Sequence, residues 1–184
     1  GSKAPPLTED DQITFTGFYS KDFYQLDLIT QIQNINAKNN QYDFKTLNGT
    51  LNWRHSFNDQ SNLRTFLVMS DYSPKTIFPE VDNPNEIVFE SKINYLSFAS
   101  EFSKEIKTNL DYYVGVQANK YQIKPGELRP GNGNSVVAVS LDEENSYEFA
   151  GYGNVNFKPV TNVAISAGLR FSHYVLVGPY KQAQ

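Results

Sequence analysis

Apolar and polar side chains alternate in steps of two over unusually long stretches of this chain, and nothing else in it restricts the available folds so strongly. In residues 46–57 the odd positions carry Leu47, Gly49, Leu51, Trp53, His55 and Phe57, while the even positions carry Thr46, Asn48, Thr50, Asn52, Arg54 and Ser56. A period of two is the signature of a strand with one apolar and one polar face. The split returns with Leu110, Tyr112, Val114, Val116 and Ala118 against Asn109, Asp111, Tyr113, Gln117 and Asn119. It returns again at 147–158 and at 163–172, where Val163, Ile165, Ala167, Leu169 and Phe171 share one phase. Residues 24–34 alternate with a fault at Ile29 and Thr30, and 12–20 and 62–72 follow less regularly. In 86–103 the phase slips near Tyr95 and Leu96, which predicts one bent strand with a bulge.

The reading is therefore all-β: an antiparallel up-and-down meander of about eight long strands. Several patterns hold for about 11 to 16 residues, whereas strands in globular domains usually run about 5 to 6. Tight turns are predicted at Ser20-Lys21-Asp22, Asn58 to Ser61, Ser103-Lys104-Glu105 and Lys158 to Thr161, with long polar segments at 73–85 and 122–144. The connection at 37–41 belongs to the long set by parity yet is short. Tight turns at one end of a sheet and long loops at the other are the asymmetry of an outer-membrane barrel.

Composition narrows the possibilities further. With 16 basic and 20 acidic residues the net charge is −4, which argues against nucleic-acid binding driven by bulk charge. Twelve Tyr, 13 Phe and one Trp are too much large apolar surface for a disordered chain. The 19 Asn favour turns over helix interiors. With no cysteine, disulfides, thiolate metal sites and cysteine nucleophiles are excluded. The apolar runs are far shorter than the ~20 residues of a spanning helix. Gly1-Ser2 resembles a cleavage scar, so residues 1–11 read as tag or linker, 12–178 as the β-segment and 179–184 as a tail.

Alternation alone does not separate a membrane barrel from a soluble sandwich, since both have one apolar and one polar face. Two details favour the barrel. The polar phase carries Asn, Gln, Thr, Ser, Tyr and Arg, as a hydrated lumen would. Aromatics at Phe57, Tyr112, Phe157 and Phe171 are expected near strand ends, where a girdle meets lipid headgroups. The barrel reading requires Leu51, Trp53, Val114, Phe149, Ile165 and Leu169 to face outward and not to meet inside a closed core.

The residues of the last third are more specific. Glu144 to Tyr152, the turn at Lys158-Pro159, then Ala167-Gly168-Leu169-Arg170-Phe171-Ser172-His173-Tyr174 and Gly178-Pro179 resemble the barrel of TonB-dependent outer-membrane receptors. In that family an acidic-x-x-Glu-x-Ala-x-Tyr strand is followed by a partner reading Gly-Leu-Arg-aromatic-Ser-x-aromatic and then Gly-Pro. Weaker likeness lies in Leu47 to Phe57, Leu63 to Ser70, and Leu128-Arg129-Pro130-Gly131. The resemblance implies a barrel of about 22 strands, closed by a plug domain, that imports scarce nutrients across a bacterial outer membrane with energy passed on by TonB. About eight strands without a plug make an internal piece of such a receptor, not competent for transport alone. Its implied partners are outer-membrane lipid, the plug and remaining strands, and TonB through the full-length receptor only. An excised sheet has two open edges, so it is expected to pair edge to edge with a second copy or to close into a small sandwich or barrel. The alternatives are a soluble β-sandwich or lipocalin-like binding module, and an eight-stranded membrane barrel with a structural or adhesive role.

No catalytic residue, metal site or cofactor is expected. His55 and His173 fall on the apolar phase and read as interfacial histidines. Asp142-Glu143-Glu144 reads as a solvated loop tip. Glu80 to Glu86 offers spaced oxygen ligands for Ca²⁺ but lacks the EF-hand glycine, and the glycines of 125–134 lack the Gly-Lys-Ser/Thr of a phosphate loop. Asn48-Gly49-Thr50 has the form of a glycosylation acceptor but sits in mid-strand. The candidate ligand contacts are placed on the long loops: Tyr72 and Lys75 on the first, Tyr121, Lys124 and Arg129 on the second.

Overall fold

The computed structural model of the chain describes residues 9–26, 40–79, 86–130 and 137–178. Every regular element among them is a strand: β1 (Asp11–Leu26), β2 (Asn40–Asn58), β3 (Ser61–Pro79), β4 (Glu86–Lys107), β5 (Leu110–Arg129), β6 (Val139–Ser140), β7 (Glu144–Val160) and β8 (Val163–Val177). They form one antiparallel sheet in the order β1-β2-β3-β4-β5-β7-β8, with the two-residue β6 beside the upper end of β5. The predicted meander is present.

Its membership differs from the sequence reading in one instructive respect. The turn expected at Ser20-Lys21-Asp22 does not exist, because β1 runs through it in continuous register from Asp11↔His55 to Leu26↔Asn40. The pattern at 24–34 is therefore no separate strand. Residues 24–26 end β1, and 27–39, which connect β1 to β2, lie outside the described residues. The anomaly of a short connection at 37–41 disappears with the false turn. The β4–β5 turn is likewise displaced from 103–105 to Thr108-Asn109. Tight turns then join β2–β3, β4–β5 and β7–β8 at one end, and the longer connections join β1–β2, β3–β4 and β5–β7 at the other.

The expected bulge near Tyr95 and Leu96 is elsewhere too. Pairing of β3 with β4 holds the same register on both sides of that level, from Ser61↔Lys104 to Pro79↔Glu86. The shift falls between Glu90 and Lys92, where Pro125 and Gly126 of β5 oppose Ser91 alone. Proline has no N–H to give the ladder, so a bulge is where a strand tolerates it.

Cross-strand register gathers the alternating phases onto two faces. One transverse row runs Phe15–Leu51–Leu67–Phe98–Ala118–Phe149–His173 across all seven long strands. The apolar phases thus share one side of the sheet and the Asn, Ser, Tyr and Arg phases the other. The second layer that a sandwich requires is missing: Leu51, Val114, Phe149, Ile165 and Leu169 are exposed, Leu169 by 86%. The only buried hydrophobic side chain among the described residues is Ala150, and it lies on the polar side with buried Ser97, Asn119 and Ser146. Crowding on the polar side and exposure on the apolar side make the polar side concave, as in a barrel wall. β1 and β8 each have a single neighbour, so the sheet is open and the self-closure considered for an isolated piece does not occur among the described residues.

Strand length decides where the hydrocarbon would lie. A tilted strand spans a bilayer in about 9–11 residues, and β2 to β5 have 19, 19, 22 and 20. On the convex side of β4 the apolar phase covers Leu96, Phe98 and Phe102, while Asn94, Lys92 and Glu90 continue the same phase above it. About half of each strand therefore stands beyond the apolar band on the side of the longer connections.

At the tight-turn end the band is bordered by linked aromatics. Trp53 and His55 rings lie 6.0 Å apart, His55 meets Phe57 edge-on at 4.6 Å, Phe57 is 6.0 Å from Phe102, and Phe102 is 6.3 Å from Tyr112. Asp11 closes this border by accepting from the Trp53 indole at 2.9 Å and pairing with His55 Nδ1 at 2.9 Å. Phe57 and Tyr112 thus sit in a girdle as expected and Phe157 lies near the same end, but Phe171 is in the middle of β8.

Candidate functional site: the polar cluster of the concave face

The densest side-chain network spans β4, β5, β7 and β8 on the concave face. The backbone ladder places Glu101, Gly115, Tyr152 and Arg170 in one row and Asn119, Glu148 and Tyr174 two residues along each strand. Asn119 is 5% exposed, and its two amide atoms serve three partners. The carbonyl oxygen accepts from Tyr95 Oη and Gln117 Nε2, both at 3.2 Å, and the amide nitrogen donates to Glu148 Oε2 at 3.0 Å. Arg170 donates to Gln117 Oε1 at 3.0 Å and to Glu148 Oε1 at 3.5 Å, with its guanidinium 5.5 Å above the Tyr152 ring. Tyr152 Oη donates to Glu101 Oε2 at 3.3 Å. Arg170 bridges β8 to β5 over β7, which its length and its fork of donors permit and a lysine would do less well.

Glycine makes room for this arrangement. A Cβ on Gly115 would lie 2.5 to 2.8 Å from the Tyr152 ring atoms, so the ring rests directly on the β5 backbone. An aromatic covering a cross-strand glycine restores packing that the bare backbone lacks. Toward the tight turns the ladder continues with Asn156 donating to Asp111 at 2.7 Å and Asn154 donating to Asn156 at 2.9 Å.

The five candidate contact residues lie on strands and not on loops. Tyr72 of β3 pairs with Ile93 and Tyr121 of β5 with Tyr95, both on the concave side, and the Tyr95 and Tyr121 rings are 5.0 Å apart. Lys75, Lys124 and Arg129 fall on the convex side, where Lys75 pairs with Glu90 at 3.6 Å and Lys124 with Glu143 at 3.7 Å. Arg129 bonds to Glu90 and lies 3.5 Å from Glu127. The structure does not bring the five together. The loops were overestimated because, above the hydrocarbon, both faces of a strand are wet and the apolar-polar contrast fades while the hydrogen-bonded ladder goes on.

Glu143, just before β7, accepts from the Gln122 and Asn145 side chains, which with nearby Lys124 hold its carboxyl below the usual glutamate range. Among the described residues no group of three or more His, Asp or Glu could hold a metal ion. His55 and His173 are on separate strands of the convex face. The calcium-like segment lies at 80–86, of which 80–85 fall outside the described residues, as do 131–136 of the glycine-rich stretch. Asn48 is engaged in mid-strand by Ser70, which donates to it at 2.5 Å.

Sequence reasoning missed the cluster as a site, although its signal was in view. Glu148-x-Ala150-x-Tyr152 and Arg170-x-Ser172 are the polar phases of the two motif strands, and the register puts them side by side.

A single-layer antiparallel wall, apolar on its convex side and hydrogen-bonded across its concave side, defines the class: a transmembrane β-barrel. Within that class, the TonB dependent receptor-like, beta-barrel family model matches residues 4–183, and the chain belongs to that family. The match passes both expected boundaries of the barrel segment, 12 and 178. No curated protein and no solved structure shows significant similarity to the chain. The family is one of outer-membrane receptors and transporters, not enzymes.

Proposed function

We propose that the chain forms part of the wall of a bacterial outer-membrane receptor that takes up a nutrient with energy delivered by TonB, and that it does not transport alone. The observation that carries this reading is the open concave sheet, whose polar network is turned to one side and whose edge strands β1 and β8 have one neighbour each. Closing about eight strands on themselves leaves an interior that side chains fill, whereas a passage wide enough for a nutrient and a plug needs many more. The remaining strands, the plug and surrounding outer-membrane lipid are the partners this reading requires, with 12–178 as the barrel segment between flanks 1–11 and 179–184. Of the candidate contacts, Tyr72 and Tyr121 stay as ligand contacts on the lumen side, and Lys75, Lys124 and Arg129 belong to the outer rim. Uptake by cells expressing the natural reading frame tests the reading: accumulation of a nutrient that stops when TonB is deleted is expected. A natural protein of this length alone that melts as a detergent-free monomer would overturn it.

A further inference from the structure

On the convex side, immediately beyond the apolar band, one transverse row reads Lys21–Lys45–Ser73–Lys92–Lys124. Lys21 pairs directly with Lys45, Lys45 with Ser73, and Lys92 with Lys124, while Ser73 faces Lys92 between the paired positions Tyr72↔Ile93 and Lys75↔Glu90. Like charges directly opposite on neighbouring strands destabilise a sheet. Part of the charge is met within the chain, since Lys92 reaches Asp71 at 2.8 Å and Lys124 reaches Glu143 at 3.7 Å. Lys21 and Lys45 have no ion-pair partner among the described residues, although Asp43 stands one position along the same face from Lys45.

A second feature lies below the same two lysines. Gly17 and Gly49 pair across β1 and β2 within the apolar band, and a Cβ at either would touch only Phe15 at 3.6 Å or Met69 at 3.5 Å. The missing side chains leave a groove of about 700 Å³ bordered by Phe15, Tyr19, Leu47 and Met69. It lies four residues along the strands from the lysine row, about 14 Å at 3.4 Å per residue. An apolar slot with cations at its upper end has the polarity of one lipid molecule, and it faces the side the band commits to hydrocarbon.

We infer that this convex face holds an anionic phospholipid of the surrounding leaflet, its phosphate between Lys21 and Lys45 and an acyl chain along Gly17 and Gly49. The inference rests on the membrane-barrel reading. Charge complementarity selects the lipid: a soluble anion would use the lysines but not the groove, and a neutral lipid the groove but not the lysines.

The test uses the protein in phosphatidylcholine nanodiscs doped with phosphatidic acid, with diacylglycerol, or with neither plus free inorganic phosphate, and native mass spectrometry reads the bound adduct after release into detergent. Phosphatidic acid is expected to remain bound, and the other two not. The double variant Lys21→Gln/Lys45→Gln is expected to lower retention about tenfold or more, because each cation near an anionic headgroup contributes appreciably to binding. Gly49→Leu, which fills the groove and leaves the lysines in place, is expected to lower it as well. Lys104→Gln, at the opposite end of β4, is expected to leave retention unchanged. Equal retention by the wild type and the lysine variant overturns the inference, as does binding of inorganic phosphate as firmly as of phosphatidic acid. Failure to enter the nanodiscs at all contradicts the membrane-barrel reading beneath it.

Discussion

Gly115 and Tyr152 together set how closely β5 and β7 pack on the concave face. Replacing Gly115 with alanine puts a methyl group where the Tyr152 ring now lies, so the ring must leave Glu101 and the Arg170 guanidinium. Forced displacement of a packed side chain costs roughly 1–3 kcal/mol, and thermal unfolding in detergent should show Gly115→Ala less stable by about that amount. Tyr152→Ala in the same background should recover part of the loss, because the clash is then gone. Glu143 supplies a pH prediction. Its folded pKa lies below its ordinary value of 4.5, so its bonds to Gln122 and Asn145 persist above that value and are lost as pH falls through the depressed one. A carboxyl ¹³C titration should place its midpoint below that of ordinary glutamates, and Gln122→Ala should move the midpoint up. An unmoved midpoint would mean that the Gln122 bond does not govern it. At this scale the sequence was least informative: Tyr152 and Arg170 stood in a quoted motif, yet only the register revealed that they share a row.

The strands are where sequence reading worked best, and its errors have one cause. Wherever one side met hydrocarbon, alternation assigned faces correctly, as the row from Phe15 to His173 attests. Ser20-Lys21-Asp22 and Ser103-Lys104-Glu105 were taken for turns because turns are polar. They are instead places where a continuing strand has both faces in water or headgroups. The turn at Asn58 was read correctly, and its geometry explains why: Asn58 Oδ1 accepts from the Gln60 N–H and from Ser61 Oγ, both at 2.9 Å. A side chain that mimics a backbone turn is a signal carried by residue type. Asn58→Ala should destabilise the β2–β3 hairpin by about 1 kcal/mol, measured as faster amide exchange at Gln60 and Ser61 with little change in β7–β8.

For the whole molecule, the apolar face makes a prediction that separates a membrane wall from a water-soluble sheet. Leu51 stands on the convex side in the middle of the band, and arginine there should cost about 2–4 kcal/mol in a lipid bilayer. Refolding of Leu51→Arg into vesicles tests this, with Thr50→Arg on the concave side expected to be milder. If the two substitutions cost the same, the convex face does not lie against hydrocarbon. Cysteines at Thr16 of β1 and Ser172 of β8 probe the edges in the full-length protein: no disulfide should form between them, since further strands stand between. Fold class and family were legible from alternation and one motif, but the lack of any enclosed interior became visible only once every strand had been assigned its neighbours. Because β1 and β8 each keep one margin of amides and carbonyls unspent, the bore of the finished cylinder is fixed by how many staves complete the ring. Substitutions in this chain can change what the passage is lined with, and its caliber is set elsewhere.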